Sequence, residues 1–271
     1  MSRGVIAKTL HEFTNALERT LISEDSAHGR GLLQSLDPRV KLVGLLALVV
    51  SASLSRKLVV LGVLFGLGLA LALASRLSLF SLAKTVWLVA FGFTFMIAAP
   101  ALFLVPGQVL YKLPLGSLTI TAQGLHGALL LMVRVETAMT LSALLVLTTP
   151  WMQLLKALRA FAAPVEVIAL LAMTHRYIVL LMETANAIFE SRQSRLVGRL
   201  SGREQRRLMV NTSGVLLSKT MEMGDQVFQA MQSRGFRGDV KLLTDFHLRR
   251  ADYLAIPGFA VAVAAAVLAG R

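Results

Sequence analysis

Charge is absent from this sequence in long blocks, and a chain so arranged has few folds open to it. Residues 42–55 contain no Asp, Glu, Lys or Arg, and the same holds for 58–75, 85–111, 113–133, 137–155 and 253–270. A membrane helix needs about 20 predominantly apolar residues, within a range of roughly 17–25. Most of these blocks reach that length. The first is shorter, and Lys41 and Arg56 at its ends are expected to snorkel to the interfaces. A soluble core would need several buried helices of this kind at once, more than such a core normally holds. The predicted spans are 40–55, 58–75, 84–105, 124–148 and 252–270. Ser55-Arg56-Lys57 reads as a tight hairpin between the first two. Pro106-Gly107 and Pro114-Leu115-Gly116 read as turns between the third and fourth.

Composition closes several other classes. With 55% hydrophobic residues, 16% charged residues and a mean hydropathy of +0.67, the chain is not intrinsically disordered. It has no cysteine, which excludes a disulfide scaffold, thiol catalysis and Cys-based metal sites. Residues 1–30 mix charged and polar side chains, including Glu12, Glu18, Arg19, Glu24, Asp25 and Arg30. They lack the apolar segment of a secretory signal and read as a polar amphipathic arm.

The net charge of +13 suits either a nucleic-acid surface or the cytoplasmic loops of a membrane protein. Its distribution decides. Of the 28 Lys and Arg residues, 15 fall within 149–251. If the N-terminus is inside, the other inner segments carry Arg30, Arg39, Lys41, Arg76 and Lys84, against Arg56, Lys57, Lys112 and Arg271 outside. This bias predicts a multi-pass protein of the bacterial cytoplasmic membrane, with its N-terminus in the cytoplasm and its C-terminus outside. The basic stretch 192–207 has few aromatics for base stacking, which argues against nucleic acid as a partner. A membrane anchor for RNA or anionic lipid is the alternative of a different class.

Region 149–251 reads as amphipathic helices. Pro150 starts one at Trp151, and Pro164 starts a second that runs to Phe189. With His175, Arg176 and Glu183 in it, the second is expected to lie in or against the membrane surface rather than to span it. Gly198 and Gly202 break the basic stretch that follows. A third helix over about 205–233 carries Met209, Leu216, Met223 and Ala230 at seven-residue intervals, an apolar stripe that needs a partner groove. Nine of the eleven methionines follow residue 131. Ordinary helix packing accounts for them, though methionine also suits a surface that repacks against a moving partner. The predicted fold is therefore all-α: a polytopic membrane protein with about five transmembrane helices and a cytoplasmic set of amphipathic coupling helices. Its segments are an N-terminal arm (1–39), a four-helix transmembrane region (40–148), the coupling-helix region (149–251) and a C-terminal transmembrane helix (252–271).

Catalytic signatures are missing. Lys8-Thr9, Lys84-Thr85 and Lys219-Thr220 all lack the preceding glycine and loop of a P-loop, so the chain is not expected to hydrolyse ATP. There is no His-Glu-x-x-His, and the five histidines are scattered. Asp225, Asp239, Asp245 and Asp252 sit in basic surroundings and read as ion-pair partners. No metal site and no cofactor is expected in this chain. Arg134 and Glu136 stand out because they lie inside the fourth span, Arg134 close to the bilayer middle. Ionisable residues there are expensive and point to function. Two residues apart on a helix they do not face each other, so each needs its own partner. That partner is either a coupling contact or a structural ion pair.

Several short motifs together resemble the transmembrane (T) component of energy-coupling factor (ECF) transporters. Leu36-Asp37-Pro38-Arg39-Val40-Lys41 resembles that family's entry to the first span. Ile120-Thr121-x-x-Gly124-Leu125, leading to Arg134, is similar to the opening of its fourth helix. Pro164 followed by Arg176-Tyr177 resembles the stretch before its coupling helices. Two Ala-Arg-Gly-type signatures near the ends of coupling helices correspond to Ser194-Arg195-Leu196 and Ser233-Arg234-Gly235. The second, with its flanks, is most similar to the cobalt-transport branch, CbiQ. The first departs from the pattern at both flanking positions and keeps the arginine.

The resemblance covers roughly residues 30–270. It implies a non-catalytic scaffold that joins two ABC-type ATPase subunits, which bind the ATP and Mg, to a substrate-binding membrane subunit of CbiM-like type. Arg195 and Arg234 would each dock on one ATPase, with a guanidinium fork suited to a carboxylate. Ser194 and Ser233 would allow close approach, and Gly235 would end its helix in a left-handed conformation. Cobalt is the implied cargo, with nickel or a vitamin as alternatives.

Overall fold

A computed structural model describes residues 31–104, 108–112, 119–194, 201–236 and 250–270. The N-terminal arm 1–30 and Arg195 lie outside these described residues. The chain separates into a membrane-helix unit, Asp25–Ala157 with Asp245–Arg271, and a second unit within Leu158–Thr244.

The membrane-helix unit starts from a strong local signal. Asp37 takes the N-cap position and its carboxylate accepts from the Arg39 N–H at 2.9 Å, while Pro38 fills the first helical position. Helix α1 (Pro38–Leu54) follows and stops at Ser55. Helix α2 (Leu58–Ala74) begins three residues later, so the Ser55–Lys57 hairpin falls where the sequence places it. Beyond α2, Arg76 adopts a left-handed φ of 54°. A long helix then runs in three parts: α3 (Leu79–Leu82), a π-helical turn (Ala83–Trp87) and α4 (Leu88–Leu104).

The next connection contains two short antiparallel strands that were not expected, β1 (Val109–Lys112) and β2 (Thr119–Thr121), while the expected turns at Pro106-Gly107 and Pro114-Leu115-Gly116 lie outside the described residues. Thr121 ends the hairpin and also caps α5 (Ala122–Thr148), its hydroxyl accepting from the Gly124 N–H at 3.1 Å. Helix α6 (Trp151–Ala160) follows Pro150.

In the second unit, α7 (Val165–Ser194) and α8 (Gly202–Ser233) pack on each other. The chain returns to the membrane-helix unit as α9 (Arg250–Gly270).

Helix α5 is the hub of the membrane-helix unit and packs against α1, α2 and α4, while α9 packs against α1. The core is drawn from Leu45, Leu48 and Ala52 of α1, Leu61 and Leu64 of α2, Leu141 and Leu144 of α5, and Ala266 of α9. Small residues bring the backbones close, as expected where no hydrophobic driving force acts between helices in lipid. A Cβ on Gly44 would lie 2.6 Å from the Phe259 ring, and one on Gly68 would lie 3.5 Å from the Thr140 methyl. Val59, Phe80, Leu88, Leu254 and Leu268 point outward, fully suited to acyl chains.

Among the described residues, four helical stretches are long and apolar enough to cross a membrane: Ala83–Pro100, Ala122–Thr148, Val165–Arg192 and Asp252–Gly270. Three coincide with predicted spans. Helices α1 and α2, at 17 residues each, sit at the short limit of about 17. The fourth stretch is α7, the helix expected from Pro164 to Phe189 in or against the membrane surface; it is continuous over 30 residues and has the length and composition of a span.

The α1–α9 contact generates a test. Gly44→Ala forces the Phe259 ring aside and should cost about 1–3 kcal/mol, the range for overpacking. A lowered thermal midpoint in detergent, partly restored by adding Phe259→Leu, is the expected result.

Candidate functional site

Three ends of the membrane-helix unit meet at a buried charged cluster. Lys41, on the first turn of α1, has no solvent exposure, and its Nζ donates to the Thr148 carbonyl oxygen at 3.0 Å. That carbonyl belongs to the last turn of α5, where four C=O groups lack intrahelical donors. The Asp37 N–H donates to Asp252 Oδ1 at 2.7 Å, and Asp252 is also fully buried. Both carboxylates attract the Lys41 ammonium. Lys41 was expected to snorkel, and instead it points inward. Asp252 does serve a partner, a backbone N–H at the start of α1.

The same end holds the segment before α1. The Leu32 N–H donates to the Ala74 carbonyl at 3.1 Å and the Leu33 N–H to Ser75 Oγ at 3.4 Å. The start of α1, the end of α2, the end of α5 and the start of α9 therefore share one end of the unit.

The opposite end is built around Ser55. The Arg56 N–H donates to the Gly270 carbonyl at 2.9 Å, and a Cβ on Gly270 would lie 2.6 Å from Ser55 Oγ. Arg134 Nη2 donates to the Ser55 carbonyl at 2.8 Å. Arg134 is thus level with the end of α1 and not halfway along it. Helix α5, with 27 residues, spans about 40 Å against about 25 Å for α1, so its middle falls near the end of its shorter neighbour. The expectation that Arg134 and Glu136 need separate partners holds for Arg134, which finds a backbone carbonyl. Both Glu136 carboxylate oxygens are buried without a hydrogen-bond partner among the described residues. Substituting Arg134→Leu removes a charge-assisted bond worth about 1.5–3 kcal/mol. The expected outcome is a lower detergent thermal midpoint and reduced yield, read by size-exclusion chromatography of the expressed chain.

In the second unit, α8 has a defined start and a defined end. Ser201 is its N-cap, and its N–H and hydroxyl both donate to Glu204 Oε2 at 2.8 Å, while Ser201 Oγ accepts from the Glu204 N–H. This capping box sets the start at Gly202, three residues before the predicted one. The Ser201-x-x-Glu204 spacing was the signal for it. At the other end, the Phe236 N–H donates to the Met231 carbonyl at 3.0 Å and the Gly235 N–H to the Gln232 carbonyl at 2.9 Å. Gly235 has φ +83°. These are the paired bonds of a glycine-terminated helix. Arg234 is exposed at this tip, and its guanidinium makes no bond to any described residue. Ser233 and Ser194 are exposed too, each hydroxyl donating to a carbonyl three residues back at 3.0 and 2.9 Å. Ser194 is the last residue of α7, directly before Arg195.

A family model described as CbiQ, cobalt transport protein, matches residues 29–244. The chain belongs to the CbiQ family. The chain is also 30% identical over 244 residues to an uncharacterized protein of Methanocaldococcus jannaschii, covering 89% of this chain and 84% of that one. It is 27% identical over 225 residues to the energy-coupling factor transporter transmembrane protein EcfT of Brevibacillus brevis, covering 78% and 83%. It is 27% identical over 172 residues to the cobalt transport protein CbiQ of Rhodobacter capsulatus, covering 63% and 69%. The CbiQ assignment makes this chain the transmembrane component of a transporter and not a catalytic ATPase; in such systems ATP is bound by partner ATPases.

The α8 cap carries a pH dependence. The Ser201 N–H, and after it the hydroxyl, hold the Glu204 carboxyl below its usual value of 4.5. A depressed carboxylate stabilises the helix start at pH above its unfolded value, and that support is lost as pH falls through the folded value. A spin label at Arg203 should therefore gain mobility between about pH 7 and pH 3, by electron paramagnetic resonance. In Glu204→Ala the label should be mobile at both.

Proposed function

We propose that this chain is the scaffold through which ATPase motion reaches a substrate-binding membrane subunit of an ECF-type importer, with cobalt as cargo. The observation that carries the reading is the family match over residues 29–244, joined to a glycine-terminated α8 tip whose exposed Arg234 guanidinium bonds to none of the described residues. A guanidinium held at a fixed helix end can enter an acidic groove in one geometry and transmit displacement along the helix. Arg195, one residue beyond the end of α7, repeats the pattern 39 positions earlier, so two arginines address two ATPase copies.

The membrane orientation follows from charge. The end that holds Asp37, Ser75, Thr148 and Asp252 faces the cytoplasm, because the chain passes from it into the basic region 149–251. Helix α7 stays on that side despite its length. A crossing there would carry the arginines of 192–207 to the outside, against the same charge rule. Cobalt is supported by the family description and by the CbiQ relative, and the substrate-binding subunit is the one that holds it.

The decisive experiment expresses the chain with its ATPase and membrane partners and substitutes both arginines. Arg195→Glu with Arg234→Glu should reduce ATPase copurification at least tenfold, since one broken buried charge pair costs about 2–5 kcal/mol. Copurification at the unsubstituted ratio would remove the docking assignment.

A further inference from the structure

The buried cluster at the start of α1 does more than close the bundle. The chain leaves the membrane-helix unit after Ala157 and re-enters it at Asp245. The outgoing passage starts at Thr148, the last residue of α5, and the incoming one ends at the first turn of α9, which contains Asp252. Both passages are tied to the same turn of α1. Lys41 Nζ holds the Thr148 carbonyl at 3.0 Å, and Asp252 Oδ1 holds the Asp37 N–H at 2.7 Å.

These ties are made of costly groups. Lys41 and Asp252 have no exposure and Asp37 has 8%. A buried ion cluster is a poor way to gain stability, because well-packed apolar side chains of the same volume do as well or better. What it provides is a single geometry, since any displacement of one member strands the others as unpaired buried charges.

We infer that Asp37, Lys41 and Asp252 form a positioning cluster that clamps both chain passages to α1, so that displacement of the α7–α8 unit reaches the membrane helices as one rigid movement at the start of α1. The inference rests on the scaffold reading above, in which the α7–α8 unit is what the ATPases move. The three residues need no contact with cargo or nucleotide for this. They act by keeping the passages from yielding separately. Loosening the clamp leaves nucleotide hydrolysis running and lets its motion dissipate in the two connections.

The test uses the whole complex in proteoliposomes, with radiolabelled cobalt(II) ion as the transported probe and ATP hydrolysis recorded in parallel. Asp252→Asn keeps an oxygen for the Asp37 N–H, whereas Asp252→Ala removes it. The expected result for Asp252→Ala is normal subunit stoichiometry, an ATPase rate within twofold of the unsubstituted complex, and cobalt taken up per ATP reduced at least tenfold. Asp252→Asn should retain most of the ratio. An unchanged uptake-to-hydrolysis ratio in Asp252→Ala overturns the inference. So does loss of assembly in Asp252→Ala, which would make the cluster a folding element only. Failure of the scaffold reading is seen separately, on the unsubstituted chain, as absence of copurifying ATPases.

Discussion

The contact between the Lys41 ammonium and the Thr148 carbonyl organises the membrane-helix unit. An ammonium taken fully out of water costs several kcal/mol even after relaxation, and only a well-formed set of acceptors offsets it. Here the acceptor is a carbonyl from the last turn of α5, and two carboxylates that attract the ammonium come from the cap of α1 and the first turn of α9. None of the three could shift without exposing a buried charge to an apolar neighbour. The motif Leu36-Asp37-Pro38-Arg39-Val40-Lys41 thus has a physical content. Asp37 and Pro38 start the helix, and Lys41, one turn on, returns its charge to the interior.

The far end of the same helices is held by weaker means. Arg134 on the Ser55 carbonyl and the Arg56 N–H on the Gly270 carbonyl are single bonds at a helix terminus. Between the two ends, contact depends on small residues and on hydroxyls. Thr137 Oγ1 of α5 reaches the Leu61 carbonyl of α2 at 3.5 Å, and the Trp87 indole donates to Thr140 at 3.0 Å. Such bonds average well under 2 kcal/mol in membrane proteins, about 0.6 by double-mutant cycles. The unit is therefore tightly specified at the end from which the chain enters the second unit and more loosely specified elsewhere.

Much of this was legible in the sequence, because a lipid environment punishes charge and the uncharged blocks marked α1, α2, α4, α5 and α9. The stop at Gly235 was legible too, since only a residue without a Cβ takes φ +83° at no steric cost. What was missed has specific causes. The β-hairpin lies in a connection whose prolines and glycines signal turns, and four-residue strands leave almost no period to read. Helix α7 was legible as one helix after Pro164, and only its last residues, 190–194, fall beyond the expected end at Phe189. Lys41 was read as a snorkelling residue because a sequence shows the end of an apolar block but not which way the side chain turns there. The Arg134 contact with the Ser55 carbonyl was not legible, because a sequence does not show how a 27-residue helix is aligned against a 17-residue neighbour.

The π-helical turn at Ala83–Trp87 has a consequence for how this chain tolerates change in length. A π turn holds one residue more than an α turn, and each residue of an α-helix advances the side chains by about 100° around the axis. The turn therefore absorbs a surplus residue without rotating α4, so Phe91 and Phe95, whose rings stack at 6.1 Å, keep the facing they would have after an ordinary α turn. Deleting one residue within 83–87 would restore an α turn and leave the aromatic face of α4 pointing the same way, whereas a deletion within α4 itself would turn everything after it by about 100°. Among relatives of different length, a one-residue gap at this turn would leave the aromatic faces aligned.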